Sequence, residues 1–265
     1  MNRILMLVVL ILLVLYLGIG LMLYFFQEGL LFFPQKLPKT YSFSFDEPFE
    51  EMEILTESDV LLHGLLFQTE NTKGLIFYLH GNAGALDSWG EVAPTYTSLG
   101  YDVFLLDYPG YGKSEGKISS QAQLFKAVQD AYNEVKKRYQ EDQIIVLGYS
   151  IGTGLAAYLA ANNHPKKLIL QAPYYSLVNL IRRKVPIIPS FLIRYPLETH
   201  RYLKDCTMPV VLFHGAKDSL IPVEHSERLQ MEFKKGDTLI ILPNQEHNGI
   251  TDHPDYKDHL IALLP

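Results

Sequence analysis

The sequence predicts an α/β fold: a mostly parallel sheet with helices on both faces and a small cap insertion, preceded by an N-terminal transmembrane helix. Three observations carry that expectation. Apolar runs alternate along the chain with helical patterns, as strand-helix-strand units do. The later runs are continuous in Val, Ile, Leu and Phe, as expected of strands covered on both faces. The third is a stretch of 23 uncharged residues, Ile4 to Phe26, bounded by Arg3 and by Gln27-Glu28.

At about 1.5 Å rise per residue, a helix of that length spans the roughly 30 Å hydrocarbon core of a bilayer. It is apolar on every face, unlike a surface helix of a soluble domain. A cleaved signal peptide is the competing reading. The run exceeds the usual apolar region of about 7–15 residues, and its one small-x-small site, Gly18-Ile19-Gly20, lies inside it, so an uncleaved anchor is expected. Tyr16, Tyr24, Phe25 and Phe26 suit the interfacial belt. Arg3 favours an inside N-terminus and an extracytoplasmic main domain, although Lys36 and Lys39 follow closely on the other side. The expected organisation is an anchor over residues 1–33, a juxtamembrane connector over 34–48 and a folded α/β domain over 49–265.

Within that domain the expected strands are 51–56, 60–67, 75–79, 102–107, 144–147, 167–171, 210–214 and 238–242. Residues 119–139 form an amphipathic helix, with Ser119-Ser120 and Gln123 as its capping box and Leu124, Val128, Tyr132 and Val135 at helical spacing. Residues 173–205 carry four prolines and no clear period, and are read as an insertion over one end of the sheet, a candidate lid. From 176 to 205 six cations, Arg182, Arg183, Lys184, Arg194, Arg201 and Lys204, face two anions, Glu198 and Asp205, in a chain of net charge −6. Interleaved apolar residues would let this segment rest on anionic lipid; a solvated face is the plainer reading. The acidic chain offers no basic, aromatic-interleaved array for nucleic acid. An apolar content of 48% excludes a wholly disordered chain, and a lone cysteine, Cys206, excludes an intrachain disulfide.

Two stretches match Gly-x-Ser-x-Gly: Gly148-Tyr149-Ser150-Ile151-Gly152 and Gly112-Lys113-Ser114-Glu115-Gly116. The first lies between a buried strand and a helix of small residues, the strand-turn-helix context that exposes a nucleophile above a sheet. The second follows Pro109-Gly110-Tyr111 and precedes a polar turn, so it reads as a loop; it also fails as a phosphate loop, because Asp107 stands at the first glycine position. A nucleophilic serine needs a base, and the base an orienting acid. Asp218 and His247 both follow expected parallel strands on the edge that carries Ser150, at separations of 68 and 29 residues in the order serine, acid, histidine. Glu224 is the fallback acid. The glycine-rich turn His80-Gly81-Asn82-Ala83-Gly84 supplies the oxyanion donors: the N–H of Asn82, with Ala83 as competitor, and the N–H of Ile151.

These residues, with Asp107-Tyr108-Pro109-Gly110-Tyr111-Gly112-Lys113-Ser114-Glu115-Gly116, resemble the α/β-hydrolases, specifically the single-span membrane-anchored members grouped with serine aminopeptidase-like hydrolases. The resemblance covers roughly residues 50–263, and the anchor with Phe33-Pro34 is similar to the same subgroup. It implies an eight-stranded sheet, antiparallel at its second strand, and hydrolysis of an ester, thioester or amide through an acyl-enzyme. It also implies that residues 107–116 are a structural loop beside the site. The chain departs from lipase-type members in its short insertion, which leaves the acyl pocket undefined.

The other histidines are read more plainly. His80 stabilises its turn, and His63, His164, His200 and His225 are surface or packing residues. His253 and His259 do not share a helical face, so no metal is expected, and Cys206 is read as buried packing. The expected function is a membrane-anchored serine hydrolase acting without a cofactor on an acyl ester or thioester. The alternatives are a peptidase or amidase on the same scaffold, and a catalytically silent scaffold that binds a partner.

Overall fold

A computed structural model describes residues Arg3 to Leu264. Helix α1 (Arg3–Phe25) has no buried residue and a mean hydropathy of 3.1 in its most apolar window, and is long and apolar enough to cross a membrane. A short helix, α2 (Gln27–Leu31), turns the chain toward the domain.

The main sheet has eight strands: β1 (Phe49–Leu55), β2 (Leu61–Phe67), β3 (Leu75–Leu79), β4 (Asp102–Asp107), β5 (Ile144–Tyr149), β6 (Lys167–Gln171), β7 (Val210–Gly215) and β8 (Thr238–Leu242). They pair in the order β1-β2-β4-β3-β5-β6-β7-β8. β2 runs antiparallel to both neighbours, and the remaining pairings are parallel. Burial follows residue type. The wholly apolar β3 is buried along its length, while edge strand β1 alternates, Met52 and Ile54 inward and Glu51, Glu53 and Leu55 outward.

Helices α3 (Gln121–Val135) and α4 (Gly152–Ala161) cover one face with Leu124, Val128, Tyr132, Leu155 and Ala156. Short turns through Leu86 and Tyr96, and a C-terminal helix over 254–263 carrying Tyr256 and Leu260, cover the other. The capping box is formed: Ser120 Oγ accepts from the Gln123 N–H at 3.1 Å, and Gln123 Oε1 accepts from the Ser119 N–H at 3.3 Å. α3 stops four residues before the expected end. Residues 136–139 continue as tighter turns, the Lys137 and Arg138 N–H groups bonding three residues back, while Arg138 is drawn to Glu50 of β1 at 2.7 Å and Tyr139 donates to Asp102 at 2.7 Å.

The cap insertion contains regular structure that its sequence did not signal. Helix α5 (Leu177–Lys184) is capped by Ser176 Oγ, which accepts from the Asn179 N–H at 3.1 Å; a single tight turn at Ser190–Leu192 and helix α6 (Thr199–Asp205) follow. Two turns of helix are too few residues for a 3.6-residue period to stand out among four prolines. Residues 33–37 are fastened to the domain by backbone hydrogen bonds: Phe33 N–H to Asn82 O, Gln35 N–H to Gly84 O, and Leu37 N–H to Gly112 O, each 2.8–3.0 Å.

Candidate active site

The position of Ser150 is set by the turn from β5 to α4. Ser150 has φ +53°, a left-handed conformation that costs a non-glycine residue roughly 1 kcal/mol or more and that lifts its side chain clear of the strand. The flanking glycines make room for the turn. A Cβ at Gly148 would lie 2.5 Å from Gly152 O, and one at Gly152 would lie 2.1 Å from Leu79 O. Thr153 Oγ1 donates to Ser150 O at 2.6 Å, and the Ser150 N–H donates to Gln171 O at 2.9 Å, so the strained turn is held from both sides.

Asp218 and His247, 68 and 97 residues further on, meet this serine. Ser150 Oγ lies 3.0 Å from His247 Nε2, and His247 Nδ1 lies 2.7 Å from Asp218 Oδ2. An ionised carboxylate only accepts, so Nδ1 carries the hydrogen and Nε2 presents its lone pair to the serine hydroxyl. Asp218 Oδ1 is fixed by the N–H groups of Leu220 (2.9 Å) and Ile221 (2.8 Å). Burial pushes the Asp218 carboxyl up, but hydrogen bonds from His214, His247 and the Ile221 N–H together outweigh it and hold the group well below the usual carboxylate range.

His214 was not among the residues singled out from the sequence. It is fully buried beneath Asp218, with Nε2 2.7 Å from Ile221 O and 3.4 Å from Asp218 Oδ2, and Nδ1 2.6 Å from Ser226 Oγ. The Ile221 carbonyl can only accept, so Nε2 carries a hydrogen that also faces the carboxylate. Tyr149, next to Ser150, donates toward His247 O (3.0 Å) and Asn248 Oδ1 (2.9 Å), which ties the histidine loop to the turn after β5. Only chain folding brings His214 to the site, and no motif marks it, whereas Tyr149 stands inside the Gly-x-Ser-x-Gly match itself.

The loop after β3 is gripped by the segment 107–116. Tyr108 donates to His80 O at 2.8 Å and Tyr111 to Asn82 O at 2.7 Å. Ser114, the rejected nucleophile, donates to Asp107 O at 2.7 Å and accepts from the His63 N–H at 2.8 Å, so both its functions are spent inside the loop. The N–H groups of Asn82 and Ile151 donate to no other described residue, and both residues line the same cavity as Ser150. Ala83 lies outside that lining, paired with Phe33.

The cavity measures about 250 Å³ and is walled by Leu30 and Leu31 of α2, Leu177, Leu180 and Ile181 of α5, and Leu220. Asn82 Nδ2 donates to Leu31 O at 3.1 Å, so the segment just after α1 both lines the cavity and touches the candidate oxyanion loop. The remaining histidines are engaged elsewhere. His80 is stacked between Trp89 and Tyr108, and burial takes it down to about 4. His225 accepts from the Tyr175 N–H at 3.1 Å and His200 stacks on Tyr175. His63 is buried against Glu51 at 2.8 Å. Glu224 faces Arg183 at 3.7 Å rather than His247, and burial pushes the Cys206 thiol up to about 12.

Comparison with known proteins agrees with this architecture. The family model for the alpha/beta hydrolase fold matches residues 74–202. The chain is 30% identical to Protein bem46 of Schizosaccharomyces pombe over 219 residues, 76% of this chain and 72% of that protein. It is 27% identical over 181 residues to the lysophosphatidylserine lipase ABHD12 of Danio rerio, a match covering 60% of this chain and 47% of that one. Among solved structures, the Pyrococcus furiosus esterase Pf2001 superposes with a TM-score of 0.72 at 18% identity, over 88% of this chain and 96% of the esterase. The eight-stranded sheet, its strand order and these relatives together establish that the chain belongs to the α/β-hydrolase fold family.

Proposed function

We propose that the protein is a membrane-anchored serine hydrolase that cleaves an acyl ester or thioester through an acyl-enzyme. The observation that carries this reading is the hydrogen-bonded line from Ser150 through His247 to Asp218, beside an apolar cavity whose lining includes Asn82 and Ile151, both with unspent backbone N–H groups. In the proposed cycle Ser150 Oγ attacks the substrate carbonyl while His247 Nε2 takes its proton. The Asn82 and Ile151 N–H groups stabilise the oxyanion, each worth about a hundred- to a thousandfold in rate. His247 then protonates the leaving group, and a water activated by the same histidine releases the acyl chain. Asp218 stays ionised throughout and fixes the imidazole tautomer. The wall of leucine and isoleucine favours an acyl chain over a peptide, since a peptide backbone would bring polar groups to a surface with few partners for them. Helix α1 acts as the anchor and holds the site near lipid.

The test is active-site labelling of the detergent-solubilised chain with a fluorophosphonate, with the adduct located by peptide mass spectrometry. Label is expected on Ser150, abolished by Ser150→Ala and retained in Ser114→Ala. Absence of label on the folded protein would refute the hydrolase reading and leave a silent scaffold.

A further inference from the structure

The cap loop that follows α5 leaves the domain and lies along α1. Tyr16, near the middle of that helix, donates to Ile187 O at 3.0 Å. Gly20 takes the approach of Leu192, whose Cδ1 would lie 3.3 Å from a Cβ at that position. At the base of the loop the buried side chain of Gln27 donates to Leu192 O at 2.9 Å and accepts from the Arg194 N–H at 2.8 Å. Arg194 and Tyr195 both reach Glu28, at 2.8 and 2.7 Å. Nine residues of helix separate Tyr16 from Phe25, so the loop runs about 14 Å down the side of the span.

Its composition suits hydrocarbon rather than water. Phe191 is 80% exposed and Ile187 71% exposed, with Val185 also uncovered. A backbone in lipid must satisfy its own polar groups, and this loop meets part of that demand within the protein. Pro186 and Pro189 carry no N–H. The Ile188, Leu192 and Ile193 N–H groups bond within the loop, and the carbonyls of Ile187 and Leu192 are taken by Tyr16 and Gln27 of the anchor segment. Cations flank the loop, Arg182, Arg183 and Lys184 before it and Arg194 after it, where the headgroups of a leaflet would lie.

We propose that residues 185–193 are a second membrane-inserted element, a re-entrant loop clamped to α1, and that the cavity beside it is loaded sideways with the acyl chain of a bilayer lipid. The cavity walls lie next to both inserted elements in the chain. Ile181 and Lys184 stand immediately before the loop, and Leu30 and Leu31 follow α1 by a few residues. An acyl chain leaving the leaflet between α2 and α5 would therefore meet Ser150 without crossing water. This inference rests on the anchored-hydrolase reading above and adds to it a substrate source, the hydrophobic interior of the membrane.

The test uses the full chain in phosphatidylcholine vesicles containing a minor fraction of phosphatidylglycerol. Phe191→Cys, labelled with an environment-sensitive fluorophore, is compared with Glu70→Cys on the turn between β2 and β3, at the opposite end of the sheet. Lipids bearing a nitroxide on the acyl chain should quench and blue-shift the first label and not the second. In parallel, Phe191→Asp should slow hydrolysis of a vesicle-embedded long-chain acyl ester about tenfold while leaving a short water-soluble ester unaffected, because the charge opposes insertion and not chemistry. A label at residue 191 as wet as that at residue 70 overturns the inserted loop. Equal slowing of both esters, or of neither, overturns the lateral route. A quenched label in a protein that turns over no ester refutes the hydrolase reading while supporting the inserted loop, and recovery of a chain lacking its first residues by mass overturns the anchor and the clamp with it.

Discussion

Ser150 stands in a backbone conformation that its residue type disfavours, held there by Thr153 and by the glycines on either side. Glycine at the same position would relieve the strain while removing the nucleophile. Ser150→Gly is therefore expected to lose hydrolysis and to gain stability of the order of 1 kcal/mol, a rise of a few degrees in Tm by calorimetry. A lower Tm would mean that the turn is not strained in the native protein. The three residues proposed as a triad stood out in the sequence because each has a local signature: a motif, or a position just after a buried apolar strand. His214 was not readable. It sits inside a strand, in a run that otherwise signals only burial, and its role depends on Asp218 Oδ2 and Ser226 lying against it in space.

Among elements, the loop over 107–116 shows why a motif match needs its context. Asp107 is fully buried, accepts from the Leu86 N–H at 3.2 Å through Oδ1 and leaves Oδ2 without a hydrogen bond, the His63 Nδ1 standing 3.9 Å away. Burial raises its carboxyl to about 8, so the folded protein holds a proton that the unfolded chain releases near 3.8. The stability this group provides is complete below the unfolded value and drains away as pH rises through the folded one. The slope is at most about 1.4 kcal/mol per pH unit. Asp107→Asn should flatten the fall in Tm between pH 5 and 8; an unchanged slope would show that the carboxyl is ionised in the native state. Strand positions were legible to within about two residues, because continuous apolar runs leave little freedom in where a buried strand lies. The part played by residues 30–37 was not. Their backbone bonds to Asn82, Gly84 and Gly112 join segments remote in sequence, which no local pattern encodes.

For the whole molecule, the cations at either end of α1 set the expected sidedness. Arg3 lies on one side and Lys36 and Lys39 on the other, and Lys39 is partly offset by Glu115 at 3.2 Å. With the amino terminus inside, an alkaline phosphatase fused after the last residue should be active in a bacterial host, and a cytoplasm-restricted reporter in the same place should not. The reverse pattern would put the catalytic domain in the cytoplasm. The ties between α1, the cap and residues 33–37 also mean that the domain does not swivel on a string. With α1 in a bilayer as proposed, the domain's cleft would be carried at one height and one tilt over the lipid surface. A hydrolase mounted in that proposed way would sample a two-dimensional pool, and the quantity that saturates it would be the mole fraction of substrate among neighbouring lipids, whatever the volume of water around the vesicle.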